Sequence, residues 1–463
     1  MILLAIDWGS VGLKAAQLLL SLSILVVLHE FGHYITAKWF KCRVEKFYLF
    51  FDPWFSIFKK KIGETEYGIG WLPLGGYVKI SGMVDESMDK EQMNKPPQPW
   101  EFRSKPAWQR LIIMLGGVTV NVLLAFIIYA GILMHWGEEK IPNSSLKNGV
   151  WVSDSLMYDI GLRSGDKIVS VNGDSIKYFD DVAKRILFSG GGNIEVIRED
   201  KPTNVTIPVS LIGQLVEKKR SKTPLMMQRI PSQLGQFTSN DTASPSKKAG
   251  LQNWDKIVKV DSIDVQFLDE AAVYFSQHKN ADVALTVERQ GSFLIVPVKV
   301  NEDGKIAPPL PTGEQMDSLG YFKVEKKEYS FFEAFPAGVK LAYVKLGEYI
   351  QQFKLIFQPS TGAYKGVGGF KSMGSVFSGN TWDWEQFWNI TAFFSIVLAF
   401  MNLLPIPALD GGHVLFTLIE MITGRKPSEK FLEYAQIAGM IILLSLMLYA
   451  NGNDWLGWGR GKG

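Results

Sequence analysis

Cysteine, histidine and excess charge of either sign are scarce in this sequence. Its 463 residues contain one cysteine, Cys42, which excludes an intramolecular disulfide framework and a cysteine-rich zinc finger. The 49 basic and 46 acidic residues leave a net charge of +3, whereas nucleic-acid-binding proteins carry a strong basic excess. We therefore expect no nucleic-acid partner. Aromatic residues make up 13% of the chain, which excludes low-complexity disorder.

Long apolar segments lie near both ends of the chain. A helix that crosses a lipid bilayer needs about 20 mostly apolar residues. Four segments meet this requirement, at 15–37, 111–136, 387–408 and 434–452. The fold class predicted is an α-helical polytopic membrane protein with four transmembrane helices. Met1–Ser10 carries Asp7 and no basic residue, so we expect a retained N-terminus rather than a cleaved signal peptide.

Lysine and arginine residues cluster after the first apolar segment and predict its orientation. Lys14 precedes that segment, whereas Lys38, Lys41, Arg43 and the Lys59–Lys61 run follow it. Because cytoplasmic loops carry the excess of basic residues, the loop after the first span is predicted to lie in the cytosol. The polar region between the second and third spans is then outside the cytosol.

That polar region contains an internal repeat. The segment from Gly161 to Val171 recurs from Gly250 to Val260, although Trp254 stands where the first copy has Gly165. Apolar alternation in both copies predicts a half-buried strand, and Asn172-Gly173 after the first copy predicts a hairpin turn. Both copies resemble bacterial PDZ domains. The resemblance implies two extracytoplasmic PDZ-like α+β domains, which either bind peptides or act as spacers or a size filter.

Two further segments of the polar region are assigned from composition. Glu217–Ser246 is rich in Lys, Ser, Thr, Gln and Pro and is predicted to be a linker. Residues 331–357 carry apolar residues at roughly helical spacing. This second segment is predicted to be an amphipathic helix that lies against the membrane surface or packs against a PDZ-like domain.

The first apolar segment contains a His-Glu-x-x-His motif at His29, Glu30 and His33. Residues i and i+4 of a helix share a face, so the two imidazoles can bind one metal ion. Zinc suits these ligands, and Glu30 is placed to act as general base toward a water at the metal. Ionisable groups are costly at membrane depth, which makes a pair of merely structural histidines the weaker interpretation.

Two histidines leave a catalytic zinc site one protein ligand short. Glu45 and Asp52 lie nearby in sequence, but both belong to the predicted cytosolic loop. Asp410 is the better candidate because it adjoins the third apolar segment, where Pro405 and Pro407 are expected to break the helix. The alternative for Asp410, which precedes two glycines, is a turn residue.

Together these motifs resemble the site-2 protease family of intramembrane zinc metalloproteases. His29-Glu30-x-x-His33 and Leu409-Asp410-Gly411 carry the resemblance, and the PDZ-like repeats place the chain nearest the bacterial regulator-of-sigma-E branch. Leu72–Tyr77 resembles that branch's membrane-associated β-hairpin, and Gly117-x-x-x-Asn121 resembles its second-span motif.

The resemblance implies one zinc ion per chain, bound by His29, His33 and Asp410, with Glu30 as the catalytic carboxylate. It implies substrate-positioning roles for a second set of residues: Asn402, Gly75, Tyr77 and Asn121. The hairpin expected at 65–80 would pair with an unwound substrate by strand addition. Val397 and Gly368–Lys371 depart from motifs that the branch often carries near the third span.

Partners and location are likewise implied by the resemblance. The expected substrates are single-pass membrane proteins, such as anti-sigma factors or remnant signal peptides, cut within the lipid bilayer in regulated intramembrane proteolysis. An upstream site-1 protease would trim them first, and the expected location is the bacterial inner membrane. Two rival functions are a catalytically silent PDZ membrane scaffold and a zinc transporter. A scaffold has no need of Glu30, and a transporter would spread polar ligands over more spans.

These predictions divide the chain into eight segments. They are a first transmembrane segment (1–40), a cytosolic membrane-associated loop with a β-hairpin (41–105), a second transmembrane segment (106–136), two PDZ-like domains (137–215 and 216–305), a region with an amphipathic helix (306–385), a third transmembrane segment with Leu-Asp-Gly (386–412), and a fourth with the tail (413–463).

Overall fold

A computed structural model describes residues 7–73, 75–83, 96–217, 224–237, 244–306 and 308–458. The chain forms two compact units: the first comprises 1–137, 328–353 and 367–462, and the second comprises 138–327 and 354–366. Parts of the predicted linker, 218–223 and 238–243, lie outside the described residues, as do Met1–Ile6 of the predicted N-terminal segment.

The secondary structure alternates between long helices and short strands. The helices are α1 (Trp8–Trp39), α2 (Ala107–His135), α3 (Ser155–Asp159), α4 (Val182–Phe188), α5 (Leu211–Glu217), α6 (Pro245–Lys248), α7 (Leu268–Gln277), α8 (Gly313–Ser318), α9 (Phe331–Ile356), α10 (Phe370–Ser375), α11 (Trp384–Leu403), α12 (Asp410–Thr423) and α13 (Glu429–Leu456). The strands are β1 (Val44–Leu49), β2 (Phe51–Ile62), β3 (Thr65–Leu72), β4 (Tyr77–Ile80), β5 (Glu138–Lys140), β6 (Val150–Val152), β7 (Lys167–Val171), β8 (Asp174–Ser175), β9 (Gly192–Arg198), β10 (Lys201–Ile207), β11 (Met226–Gln228), β12 (Lys256–Val260), β13 (Ile263–Asp264), β14 (Asp282–Arg289), β15 (Ser292–Lys299) and β16 (Glu325–Lys327).

Within the described part of the chain, four helices are long and apolar enough to cross a membrane: α1, α2, α11 and most of α13. This confirms the predicted number of spans. The third span ends at Leu403 rather than at Ala408, because Pro405 and Pro407 lack the backbone N–H that a continuing helix requires. The first span begins earlier than predicted, at Trp8, where Asp7 caps the helix by accepting a hydrogen bond from the N–H of Ser10.

Small residues let α1 and α2 cross at close range. A Cβ atom placed on Gly32 would lie 2.3 Å from the carbonyl oxygen of Gly116, and one on Gly116 would lie 2.5 Å from that of Gly32. Close backbone approach of this kind is a common way for apolar helices to associate in lipid. The helix α11 joins them through a hydrogen bond from Ser395 Oγ to the carbonyl oxygen of Asn121, at 2.8 Å.

The loop after α1 folds into a four-stranded sheet with strand order β2-β3-β1-β4. The β-hairpin expected at 65–80 is wrong, since β3 and β4 each pair with β1 and not with each other. The hairpin lies one strand earlier, between β2 and β3. There Gly63-Glu64 forms a two-residue turn, and Gly63 takes the positive φ that such a turn favours.

The helix α9 packs against α2 and α11. A Cβ atom on Gly338 of α9 would lie 2.5 Å from the backbone nitrogen of Ala130, and the ring of Tyr349 contacts those of Phe393 and Phe400. This contact does not decide between the two settings considered for the segment, the membrane surface and a PDZ-like domain, and both stay predictions.

The second unit contains two sheets of matching topology, and the sequence repeat is the reason. Their strand orders are β10-β9-β7-β8 and β15-β14-β12-β13, so β7 and β12, which are the two copies of the repeat, occupy equivalent positions. The strands predicted in both copies are confirmed. The turn predicted at Asn172-Gly173 is confirmed too, and both residues take positive φ.

A buried ion pair repeats in the same two places. Asp166 is fully buried and binds the guanidinium of Arg198 at 2.7 Å, and Asp255, also fully buried, binds Arg289 at 2.7 Å. Each arginine also donates to the carbonyl oxygen of the glycine that opens its repeat, Gly161 or Gly250. Both copies of the repeat therefore share a buried Asp–Arg ion pair in addition to the strand.

Candidate metal centre

The histidines of the His-Glu-x-x-His motif lie one turn apart on α1. His29 and His33 are 7% and 5% exposed, and their ring centroids are 4.9 Å apart. The side chain of Glu30 is half-buried beside them. The helix therefore presents two imidazoles on one face, as its periodicity predicts.

Asp410 lies close to the histidines because the helical backbone is interrupted between Leu403 and Asp410. After α11 ends at Leu403, Ala408 adopts a left-handed φ of 78°, and Asp410 begins a separate helix, α12. Leu-Asp-Gly was expected inside the third transmembrane segment and instead starts this additional helix. Gly411 is required here, since its Cβ would lie 2.1 Å from the carbonyl oxygen of Leu404.

Three side-chain atoms from α1 and α12 converge on one point. Oδ2 of Asp410 lies 3.2 Å from Nε2 of His29 and 3.2 Å from Nε2 of His33. The two Nε2 atoms are 3.3 Å apart. In the described part of the chain, these three residues form a group that could hold a metal ion.

The hydrogen bonds around this group suit a bound cation. The Nδ1–H of His33 donates to the carbonyl oxygen of Ile113 at 2.8 Å, so its Nε2 carries a lone pair when the ring is neutral. Oδ2 of Asp410 is buried and has no hydrogen-bond donor among the described residues. Electron-rich atoms facing one another repel unless a cation lies between them.

The spacing of the three atoms fits zinc. Tetrahedral zinc with bonds of about 2.0–2.1 Å to nitrogen and oxygen places neighbouring ligand atoms about 3.3 Å apart. The three separations of 3.2, 3.2 and 3.3 Å agree with this value. Three protein ligands also leave the fourth position for water or substrate, as a catalytic zinc site requires.

Comparison with known proteins identifies the family. The model of peptidase family M50 matches residues 17–446, which is most of the chain. The chain belongs to peptidase family M50. A protein of Rickettsia conorii is 29% identical over 94% of this chain and 96% of its own length, and one of Vibrio cholerae is 27% identical over 94% and 97%. Both carry the name "Putative zinc metalloprotease".

The family and the geometry agree on the activity class. This M50 peptidase is a zinc metalloprotease of the site-2 protease type and a multi-pass membrane protein. The predicted family, enzyme class and zinc cofactor are thereby confirmed.

Two asparagines of the M50 peptidase contact His29. The side-chain amide of Asn121 lies 3.1 Å from Nδ1 of His29, and that of Asn402 lies 3.3 Å from Nε2. The Asn121 oxygen has no hydrogen-bond partner among the described residues, so turning the amide would let this oxygen accept the Nδ1 proton. Such outer partners hold a ligating histidine in the required tautomer and orientation.

Gly75 and Tyr77 lie at the β4 edge of the four-stranded sheet that follows α1. Gly76, between them, packs on α1: its Cβ would lie 2.8 Å from Val26 Cγ1 and 3.6 Å from Cγ of Glu30. The Tyr77 hydroxyl points elsewhere and donates to Oδ1 of Asp52 at 2.8 Å. The backbone near Gly76, and not the Tyr77 hydroxyl, is therefore what adjoins Glu30.

Two contributors to the site are not among the residues predicted from the sequence. Ile113 contributes a backbone carbonyl, for which a sequence carries no signal. Gln436 accepts a hydrogen bond from the backbone N–H of Ala408 at 3.1 Å and so supports the loop that precedes Asp410. A polar residue in an apolar span was the available signal, because such residues are costly in lipid.

Proposed function

We propose that this M50 zinc metalloprotease cuts single-pass membrane proteins within the bilayer. The observation that supports this proposal most strongly is that His29, His33 and Asp410 converge between apolar helices. We assign these three residues as the zinc ligands and Glu30 as the general base. A hydrolytic site at this position can cut peptide bonds inside a transmembrane segment. Soluble proteases do not reach such bonds.

The chemistry follows from the residues around the metal. Zinc, when bound, lowers the pKa of a water molecule and polarises the scissile carbonyl. Glu30 accepts the proton of the attacking water and returns it to the leaving amine nitrogen. Its carboxylate lies close enough to interact electrostatically with both histidines and Asp410. Asn121 holds the ring of His29, while Asn402 adjoins the metal-facing nitrogen and positions substrate.

The substrate binds as an extended strand along β4. A peptide bond in a helix is shielded by its own hydrogen bonds, so the segment to be cut must unwind first. β4 is the edge strand of its sheet, and an edge strand presents unpaired backbone groups that recruit another strand. Gly75 and Tyr77 position the substrate there through the backbone beside Glu30.

The repeats of the second unit are PDZ-like domains that act before the cut. Their matching sheets and ion pairs are consistent with two copies of one domain. We place them outside the cytosol at the bacterial inner membrane, where they bind peptides or exclude untrimmed proteins. The substrates are anti-sigma factors or remnant signal peptides, already shortened by a site-1 protease in regulated intramembrane proteolysis.

The test is cleavage of a model single-span protein, truncated outside the membrane, by detergent-purified enzyme. Mass spectrometry of the products locates the cut, and zinc is measured in the same samples. We expect a cut within the apolar segment, and its loss in Glu30→Gln with zinc retained. Cleavage by Glu30→Gln at the wild-type rate would overturn the mechanism. Wild-type enzyme that holds zinc and cuts no truncated substrate would favour a silent scaffold.

A further inference from the structure

A hydrogen-bonded network covers one face of the four-stranded sheet formed by β1 to β4. Successive residues of a strand point to opposite faces. Phe47 and Tyr67 point toward α1, where Tyr34 contacts both rings. Tyr48 of β1 and Tyr77 of β4 occupy the other face, where they form a registered cross-strand pair with stacked rings 5.3 Å apart.

Asp52 is the acceptor at the centre of this network. Its Oδ1 accepts from the Tyr77 hydroxyl at 2.8 Å, and its Oδ2 accepts from Ser56 Oγ at 3.1 Å. Asp52 belongs to β2 and Tyr77 to β4, which are the two outer strands of the four. This single side-chain contact therefore spans the sheet.

Other side chains on this face pack around the contact between Asp52 and Tyr77. The ring of Phe51 also stacks on that of Tyr77, with ring centroids 5.9 Å apart. The ring of Tyr48 lies across Gly68, where an added Cβ atom would be only 2.3 Å from the ring. The Tyr48 hydroxyl donates a hydrogen bond to Oε1 of Glu66 at 2.7 Å. Burial, and then the carboxylate of Asp52, raise the pKa of Tyr77, so its hydroxyl stays a donor at neutral pH.

The strand held in this way leads directly to the catalytic residues. Gly76 immediately precedes Tyr77. A Cβ atom on Gly76 would lie only 2.7 Å from the carbonyl oxygen of Tyr48 and 2.8 Å from Val26 Cγ1, and it would be in van der Waals contact with Cγ of Glu30 at 3.6 Å. A shift of Tyr77 would therefore move the backbone that lies beside Glu30. The pairing of β4 with β1 covers only a few residues, so the Asp52 contact adds a restraint that the short ladder lacks.

We propose that Asp52 is a positioning residue, which holds β4 and the Gly76 backbone in register with Glu30 through the Tyr77 hydroxyl. The inference rests on the proposed function in so far as β4 receives the substrate. Asp52 touches neither the metal ligands nor the substrate in this arrangement. Its effect passes through the edge strand alone.

The experiment compares variants of the full-length enzyme on the truncated single-span substrate. Asp52→Ala and Tyr77→Phe each remove the hydrogen bond, and we expect each to lower kcat/KM about two- to tenfold, mainly through a higher KM. Zinc content should stay at the wild-type value. The double variant should be no worse than the poorer single variant, because both changes break one contact.

Two variants serve as controls. Asp52→Asn retains an oxygen that can accept from Tyr77, so it should recover most of the activity lost in Asp52→Ala. Tyr67→Phe makes the same chemical change as Tyr77→Phe but removes the hydrogen bond to Tyr34 on the opposite face. We expect its KM to stay at the wild-type value.

Hydrogen exchange of residues 75–80 in the absence of substrate gives a readout that does not depend on proteolysis. Asp52→Ala should speed exchange there, and Asp52→Asn should not. Faster exchange without any cleavage by the wild type would support the anchoring of β4 and overturn the proposed function instead. The inference is overturned by unchanged KM and exchange in Asp52→Ala and Tyr77→Phe. Equal loss of zinc and activity in Asp52→Ala and Asp52→Asn would also overturn it, as it would indicate a general structural role.

Discussion

Gly117 lies directly against the ring of His33: a Cβ atom placed on Gly117 would stand 2.4 Å from Nε2 of His33. The same atom would be 2.6 Å from Cε1 of His29. Glycine at this position of α2 is therefore what leaves room for both imidazoles. A larger residue at this position would prevent the two proposed zinc-binding imidazoles from occupying their present positions.

Gly117→Ala should consequently displace one or both histidines. We expect loss of bound zinc and of proteolysis, both measured on purified protein. Gly131→Ala is the matched control, because it lies in the same helix and its Cβ would meet no described atom within 4 Å. Full zinc occupancy in Gly117→Ala would show that the close contact is tolerated and would contradict this account of the pocket.

Asp410→Asn tests whether Asp410 is the third zinc ligand, as we propose. An amide oxygen is neutral and a weaker zinc ligand than a carboxylate, so zinc affinity should fall by more than the roughly 10–100-fold that loss of an outer-shell partner costs. Proteolysis should fall with it. Asp383→Asn is the control, since Asp383 caps α11 at an exposed position and asparagine caps helices equally well. An Asp410→Asn enzyme with wild-type zinc affinity would exclude Asp410 as a ligand.

Asn121→Ala removes the partner of Nδ1 of His29 while leaving the three proposed zinc ligands in place. We expect zinc affinity to fall about 10–100-fold, as is typical for loss of such a partner. Competition with a zinc chelator measures the change. Asn389→Ala provides the comparison, because the amide of Asn389 donates within its own helix, to the carbonyl oxygen of Glu385. Equal affinities for the two variants would argue against a role for Asn121.

Gly439→Ala tests the support that α13 gives to the loop before Asp410. A Cβ atom on Gly439 would lie 1.7 Å from the carbonyl oxygen of Pro407, so the helix or the loop must move. Overpacking of this kind costs about 1–3 kcal/mol, and we expect a lower Tm together with weaker proteolysis. In Gly347→Ala the new Cβ meets no described atom within 4 Å, and its Tm should not fall. A stable and fully active Gly439→Ala enzyme would show that α13 does not support the loop.

Local patterns in the sequence account for the parts of the molecule that were predicted. Apolar length alone locates the four spans, and period-2 alternation locates β7 and β12. The i, i+4 spacing of His29 and His33 already places both rings on one helix face. Asp410 could be nominated because a carboxylate beside an apolar span has few structural uses.

Contacts between distant segments could not be read in the same way. The parallel pairing of β1 with β3 depends on backbone hydrogen bonds that no residue type specifies, and so the hairpin was assigned to the wrong strands. The helix α12 was missed because its apolar residues continue those of the third span. Asp52 was considered only as a metal ligand, since its contact with Tyr77 appears only once the sheet has formed.

The most direct test of the metal centre is X-ray absorption at the zinc edge of the purified protein, with zinc content measured on the same sample. We predict one zinc per chain with two imidazole nitrogens and carboxylate oxygen in its first shell, and with one imidazole fewer in His33→Ala whatever zinc that variant retains. A wild-type spectrum with sulfur ligands, or one unchanged in His33→Ala, would contradict the assignment of His29, His33 and Asp410 as the ligands.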